Sequence, residues 1–113
     1  MLLQPAHTKL NVYQASRALP PECYKLTSVF PQEEKFAMVQ QIRRAALSVH
    51  LNIAEGCSGK SGPERNRHFE IARGSVIEID TALDIACDLG YASSEKCDHA
   101  EKKLSALLNY YQE

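Results

Sequence analysis

Apolar residues recur along this chain at intervals of three and four, the spacing that returns side chains to one face of an α-helix. Ile42, Ala46, Val49 and Ile53 make the clearest stripe. No stretch shows the alternation that marks a half-buried strand. Internal repeats and low-complexity tracts are absent from the sequence. The periodicity predicts four helices, at about Lys9 to Val29, Gln32 to Glu55, Pro63 to Leu89 and Ser94 to Tyr111. Residues 1–8 read as a short tail and residues 9–113 as one domain, within the usual domain size.

Local signals set the boundaries. Pro20-Pro21 removes two backbone donors and should kink or split the first helix. Phe30-Pro31 ends it, because a residue before proline avoids the helical region. Gly56 is expected to stop the second helix with a left-handed cap. The loop "GCSGKSGP" follows. Ser61, three residues before Glu64, reads as a capping box with Pro63 in the first turn. Leu89-Gly90-Tyr91 closes the third helix, and Ser93-Ser94 offers an N-cap for the fourth. Four helices on short loops predict an all-α, up-down-up-down antiparallel four-helix bundle.

The third helix carries two stripes. Phe69, Val76, Leu83 and Ala86 form one; Ile71, Ser75, Ala82, Ile85 and Leu89 form the other. Either it is the central helix of the bundle, or its second face meets another subunit. Asp80, Asp84 and Asp88 make an acidic ridge, read as a solvated face. The fourth helix buries Cys97, Ala100, Leu104, Leu107 and Tyr111.

"QIRRAALSVHLNIAEG" is the least generic stretch. At about 100° per residue, Arg44, Ser48, Asn52 and Glu55 flank one side of the apolar stripe. Arg43, Leu47, His50 and Ala54 flank the other. Ser48, Asn52 and Glu55 thus form a polar seam at the core edge, and Arg73, Ser75 and Glu78 are its candidate partners on the third helix. Such groups specify register when fully paired. The seam is either a lock on register or subunit contact, or plain surface polarity.

Composition is ordinary for a globular protein, with 44% hydrophobic and 24% charged residues in 113. No uncharged stretch is long enough to span a membrane, and "MLLQPAHTKL" has no signal-peptide pattern. A cytoplasmic location is therefore expected, where disulfides are rare. Cys23, Cys57, Cys87 and Cys97 fit no zinc spacing. The helical cysteines read as small apolar fillers and Cys57 as a loop thiol. No metal and no cofactor is expected. The net charge of −1 hides a gradient, with ten basic and six acidic side chains in residues 1–75, and three basic and eight acidic beyond.

"QIRRAALSVHLNIAEG" followed by "HFEIARGSVIEIDTALDIACDLGY" resembles the bacterial four-helix-bundle family of 23S rRNA intervening-sequence proteins. That family is similar in turn to the accessory variability determinant of diversity-generating retroelements. "VYQAS" and "LTSVFPQEEKFAMVQQIRRAA" extend the likeness over about Asn11 to Leu108. Arg43, Arg44, Ala45, Ser48, Asn52, Ile53, Ala54, Glu55, Gly56, Phe69, Ala72, Gly74, Ser75 and Glu78 sit where the family pattern wants them. The sequence departs from it at Pro20-Pro21, where the family's first helix is usually continuous, and at His50, usually proline or a small residue. The resemblance implies a homopentameric ring. It also implies that basic residues on the ring meet nucleic acid, in retroelements together with a reverse transcriptase.

Three function classes follow. The first is a non-enzymatic, oligomeric adaptor binding structured RNA or a nucleoprotein through Arg43, Arg44, Lys60, Arg65, Arg67 and Arg73. Guanidinium groups suit phosphate through their two-pronged donor geometry. The second is a purely protein-binding scaffold, with Ser48, Asn52, Glu55, Gly56, Gly74, Ser75 and Glu78 as structural or interface residues. The third is a small helical ribonuclease using His50 with Arg43. The sequence shows His50 neither an acid-base partner nor a pocket, so the non-enzymatic adaptor is the reading taken forward. No membrane or small-molecule partner is expected.

Overall fold

The computed structural model describes residues 7–110. Helix α1 spans His7–Arg17, α2 Leu19–Thr27, α3 Met38–Gly56, α4 Gly62–Asp88 and α5 Ser94–Tyr110, with a 3₁₀ turn at Gln32–Glu34. Among the described residues there is no strand. Helices α1 and α2 are the two halves of one arm, so the helices make four arms. The break expected at Pro20-Pro21 falls two residues earlier, at Ala18, because prolines are tolerated in a first turn and occupy the start of α2. Long backbone bonds of 3.3 and 3.4 Å span the joint, from Ala18 N–H to Gln14 and from Glu22 N–H to Ala18.

The second arm starts later than its periodicity suggests. Residues from Gln32 form only the 3₁₀ turn, and Ala37, at φ −122 and ψ −99, breaks the path before α3. Ala37 has no side chain to cap the helix; its carbonyl accepts from Gln41 N–H at 3.0 Å.

The stripe Ile42, Ala46, Val49, Ile53 is at most 1% exposed. It meets Ala72, Val76, Ile79, Leu83 and Ala86 of α4. Val12, Tyr13, Leu19, Cys23 and Leu26 close one side of this core, and Ala100, Leu104 and Leu107 the other. Helix α3 touches α1, α2 and α4, while α5 touches α1, α2 and α4. The arms therefore stand as a square in a body of 42 × 24 × 24 Å. Of the second stripe on α4, Ser75 is buried and Ala82 half-buried. Ile71, Ile85 and Leu89 face outward, uncovered by this chain. Tyr111, expected in the α5 stripe, lies outside the described residues.

Three local expectations are corrected. Gly56 is no left-handed cap: among the described residues only Gly59 and Gly90 have positive φ. Gly56 ends α3 in right-handed geometry, and its missing side chain instead makes room for Phe69 of α4; a Cβ there would sit 2.7 Å from the ring's Cδ1. The Ser61–Glu64 capping box does not form. Ser61 takes the extended N-cap backbone, but its carbonyl, at 2.8 Å from Arg65 N–H, closes the first turn without side-chain help. At α5 the expected cap does form, with Ser93 Oγ accepting from Lys96 N–H at 3.3 Å.

The cysteines are the third correction. Cys87 and Cys97 are joined as a disulfide between the end of α4 and the start of α5. The α4–α5 turn brings these helix ends together, which spacing alone does not reveal. Cys57 is buried at the α3 terminus, not a loop thiol. Burial, and then the charge of Glu22, push the Cys23 thiol up to about 12, so it stays protonated and unreactive. Among the described residues no helix is long and apolar enough to cross a membrane.

Candidate functional site

The polar seam is real and closes within the chain. Ser75 Oγ donates to Ser48 Oγ at 2.9 Å. Asn52 Nδ2 donates to the Ser48 carbonyl at 2.9 Å and to Ser48 Oγ at 3.2 Å. Asn52 Oδ1 faces His68 Nδ1 at 3.0 Å. An amide oxygen only accepts, so His68 carries its proton on Nδ1. The network ties α3 to α4 at a half-buried edge, where losing one partner strands the other.

Of the expected partners, Ser75 joins the seam. Glu78 instead accepts a hydrogen bond from Gln41 Nε2, and Arg73 is exposed outside it. Glu55 also stands apart, pairing with Lys60 at 3.4 Å past the helix end. His68 was not foreseen. The readable signal is its place two helical turns before Ser75, on the same face.

Arg43 and Arg44 point to opposite flanks of α3, as the helical wheel requires. Arg43 Nε donates to Thr27 Oγ1 at 2.9 Å, and Nη2 donates to the Tyr24 carbonyl at 3.2 Å. The guanidinium also lies 4.5 Å from the Tyr24 ring centre. Thr27 passes its own proton to the Cys23 carbonyl at 2.7 Å. Arg43 thus fastens α2 to α3. Arg44 is exposed and lines a groove with Phe36, Met38, Gln41, Ala82 and Ile85. Arg67 and Arg73 are exposed on α4, and Arg65 is half-buried in its first turn. The six basic candidates are thus spread over both flanks of α3, the loop that holds Lys60, and α4. On the far side, Glu22 of α2 meets His99 at 3.2 Å and Lys103 at 3.0 Å, joining α2 to α5.

His50 packs inward. Ser16 Oγ donates to the Tyr13 carbonyl at 3.0 Å and lies 2.9 Å from His50 Nδ1. The hydroxyl's single proton is spent on Tyr13, so His50 Nδ1–H must donate. The Tyr13 ring stands edge-on at 4.7 Å. Ser16 is fully buried, which leaves it no route to a substrate. Burial, and then the charge of Arg17, lower the His50 pKa below its ordinary 6.5. The unfolded chain therefore takes up this proton first as pH falls. Stability should be complete above about pH 7, decline below 6.5 and level off under the folded-state value. Melting temperatures across that window test this. His50→Gln should flatten the slope; an unchanged slope would assign it to other groups.

The acidic ridge is rearranged. Carboxylate oxygens of Asp80, Asp84 and Glu101 lie within 4.8 Å of one another across the α4–α5 seam. Desolvation, then the charge of Asp84, raise the Asp80 pKa. That of Glu101 is raised first by a hydrogen bond shared with Asp84. Exposed acidic groups commonly gather in this way without an ion, and no metal is assigned.

The whole of this arrangement falls inside one family match. The family model for 23S rRNA-intervening sequence proteins matches residues 8–112. The chain belongs to that family. Among curated proteins none matches it. The intervening-sequence fold is also seen in a crystal structure of a protein of unknown function from the S23 ribosomal protein family of Bacteroides thetaiotaomicron. That structure superposes with a TM-score of 0.85 at 20% identity, covering 93% of this chain and 95% of the other. At that identity the likeness speaks for the fold alone.

Proposed function

We propose that this intervening-sequence protein is a non-enzymatic, self-associating adaptor that binds structured RNA through its exposed arginines. Its helices are read as an up-down-up-down bundle, assembled as the homopentameric ring that the family resemblance implies. The observation that carries the RNA reading is that Arg44, Arg67 and Arg73 are exposed, and none has an ion pair among the described residues. Guanidiniums left open in this way suit phosphate. The inward-facing His50 and buried Ser16 favour a role without catalysis. The uncovered Ile71, Ile85 and Leu89 favour self-association. A protein-binding scaffold is the second reading, favoured by the converging carboxylates of Asp80, Asp84 and Glu101.

The test is binding to a labelled RNA hairpin across a salt series. Affinity should fall steeply with salt, by a log-log slope of about one per phosphate contact. Arg67→Glu/Arg73→Glu should lower that slope by about two. Arg43 is left unaltered in this test, because changing it would also unfasten α2. No binding at low salt by the assembled protein would overturn the RNA reading in favour of the scaffold.

A further inference from the structure

Among the described residues no large apolar side chain is more exposed than Phe36, at 81%. It stands between the 3₁₀ turn and α3, beside the break in the helical path at Ala37. A ring so far from the core adds little to folding. Lys35 Nζ lies over it, 5.4 Å from the ring centre, within the reach of a cation–π contact. One face of the ring carries that cation, and the other is open.

The ring borders a groove of about 530 Å³ between α3 and α4. Met38 and Ala82 line it, and Ile85 forms its α4 wall. Among the described residues that line it, Arg44 is the one charged group. Of the two glutamines at its edge, Gln41 already donates to Glu78. Gln40 is exposed and brings an amide that can both donate and accept. The acidic Glu34 of the preceding turn hydrogen-bonds with Tyr91 instead and does not line the groove. The groove thus holds a bare aromatic face, an apolar floor, an amide and a guanidinium. An unpaired nucleotide needs that set: a ring for its base to stack on, a hydrogen-bonding group for the base edge, and a cation for the phosphate.

We propose that this groove takes one unpaired nucleotide of the bound RNA, with the base stacked on Phe36 and a phosphate of the same strand on Arg44. Lys35 adds a second cation at the ring. The inference rests on the RNA reading above, and adds where a base is held and that it comes from a loop or bulge. Bases inside a duplex are stacked on one another and have no free face to offer. Ile85 is one turn before Leu89, so the groove borders the surface read above as a subunit contact. The mass of each variant therefore belongs in the test.

The test uses the full chain and an RNA hairpin with 2-aminopurine in its loop, beside a blunt duplex of the same stem. The unaltered protein should bind the hairpin about tenfold or more tighter than the duplex, as a base–aromatic stack allows, and should quench the loop fluorescence. Phe36→Ala should remove both the preference and the quenching. It should leave duplex affinity and the salt slope unchanged, since phenylalanine neutralises no phosphate. Phe36→Tyr should keep the preference. Hairpin affinity unaltered in Phe36→Ala would overturn the nucleotide site and leave the RNA reading standing. A lower mass for Phe36→Ala by sedimentation equilibrium would assign the ring to the subunit contact and likewise overturn the site. No binding of either RNA by the unaltered protein would overturn both.

Discussion

Leu104→Ala should lower the free energy of unfolding by about 2–5 kcal/mol, the usual cost of emptying a buried leucine site. Leu104 is 2% exposed, and with Ala100 and Leu107 it makes the apolar stripe that seats α5. Two other ties hold that helix, the Cys87–Cys97 disulfide and the pairs from Glu22 to His99 and Lys103. Against them works the crowding of Asp80, Asp84 and Glu101. The disulfide closes a separation of 10 residues, worth about 2–3 kcal/mol by chain entropy. A small domain has only about 5–15 kcal/mol in all. Leu104→Ala under dithiothreitol should therefore release α5 while α3 and α4 stay paired. Denaturant titration gives the first number, and amide exchange over residues 94–110 the second. A loss under about 1 kcal/mol would mean that the α5 stripe is not seated as described.

Gly56→Ala should destabilise by about 1–3 kcal/mol, the cost of overpacking a fitted contact. The sign is informative. A glycine that merely ended a helix in right-handed geometry would gain up to about 1 kcal/mol on becoming alanine. Here the new methyl meets the Phe69 ring. Phe69→Leu on the Gly56→Ala background should return part of the loss, read as a coupling in a double-mutant cycle from thermal melts. A neutral or stabilised Gly56→Ala would show that Phe69 swings aside freely.

The helices themselves were legible because their information is local. Apolar spacing put Ile42, Ala46, Val49 and Ile53 on one face, and the same spacing sent Arg43 and Arg44 to opposite flanks. What sequence could not supply was proximity between elements. Gly56 reads as a terminator until Phe69 is seen against it. Cys87 and Cys97 read as fillers until the turn at Gly90 folds their helices together. Ser61 and Glu64 match a capping pattern, but the pattern names residue types and not the rotamers they take. The seam was half readable: Ser48, Asn52 and Ser75 stood out as polar groups beside a core stripe, whereas His68 gave no sign beyond its spacing. For the basic set, sequence grouped by number what the fold distributes by face.

The break at Ala18 has a mechanical meaning. It divides the first arm into two bodies with different fastenings. Helix α2 is latched on both sides, by Arg43 through Thr27 and Tyr24, and by Glu22 to Lys103 and His99. The polar latch of α1 across to the next arm is Ser16 on His50. The Nδ1–H of His50 donates to Ser16 in either charge state, so what acid adds is the cost of charging a part-buried ring close to the charge of Arg17. The joint therefore behaves as a hinge with one leaf held on both sides and the other tied by a polar bond on a single side, and acid loosens the second by charging the ring that holds it.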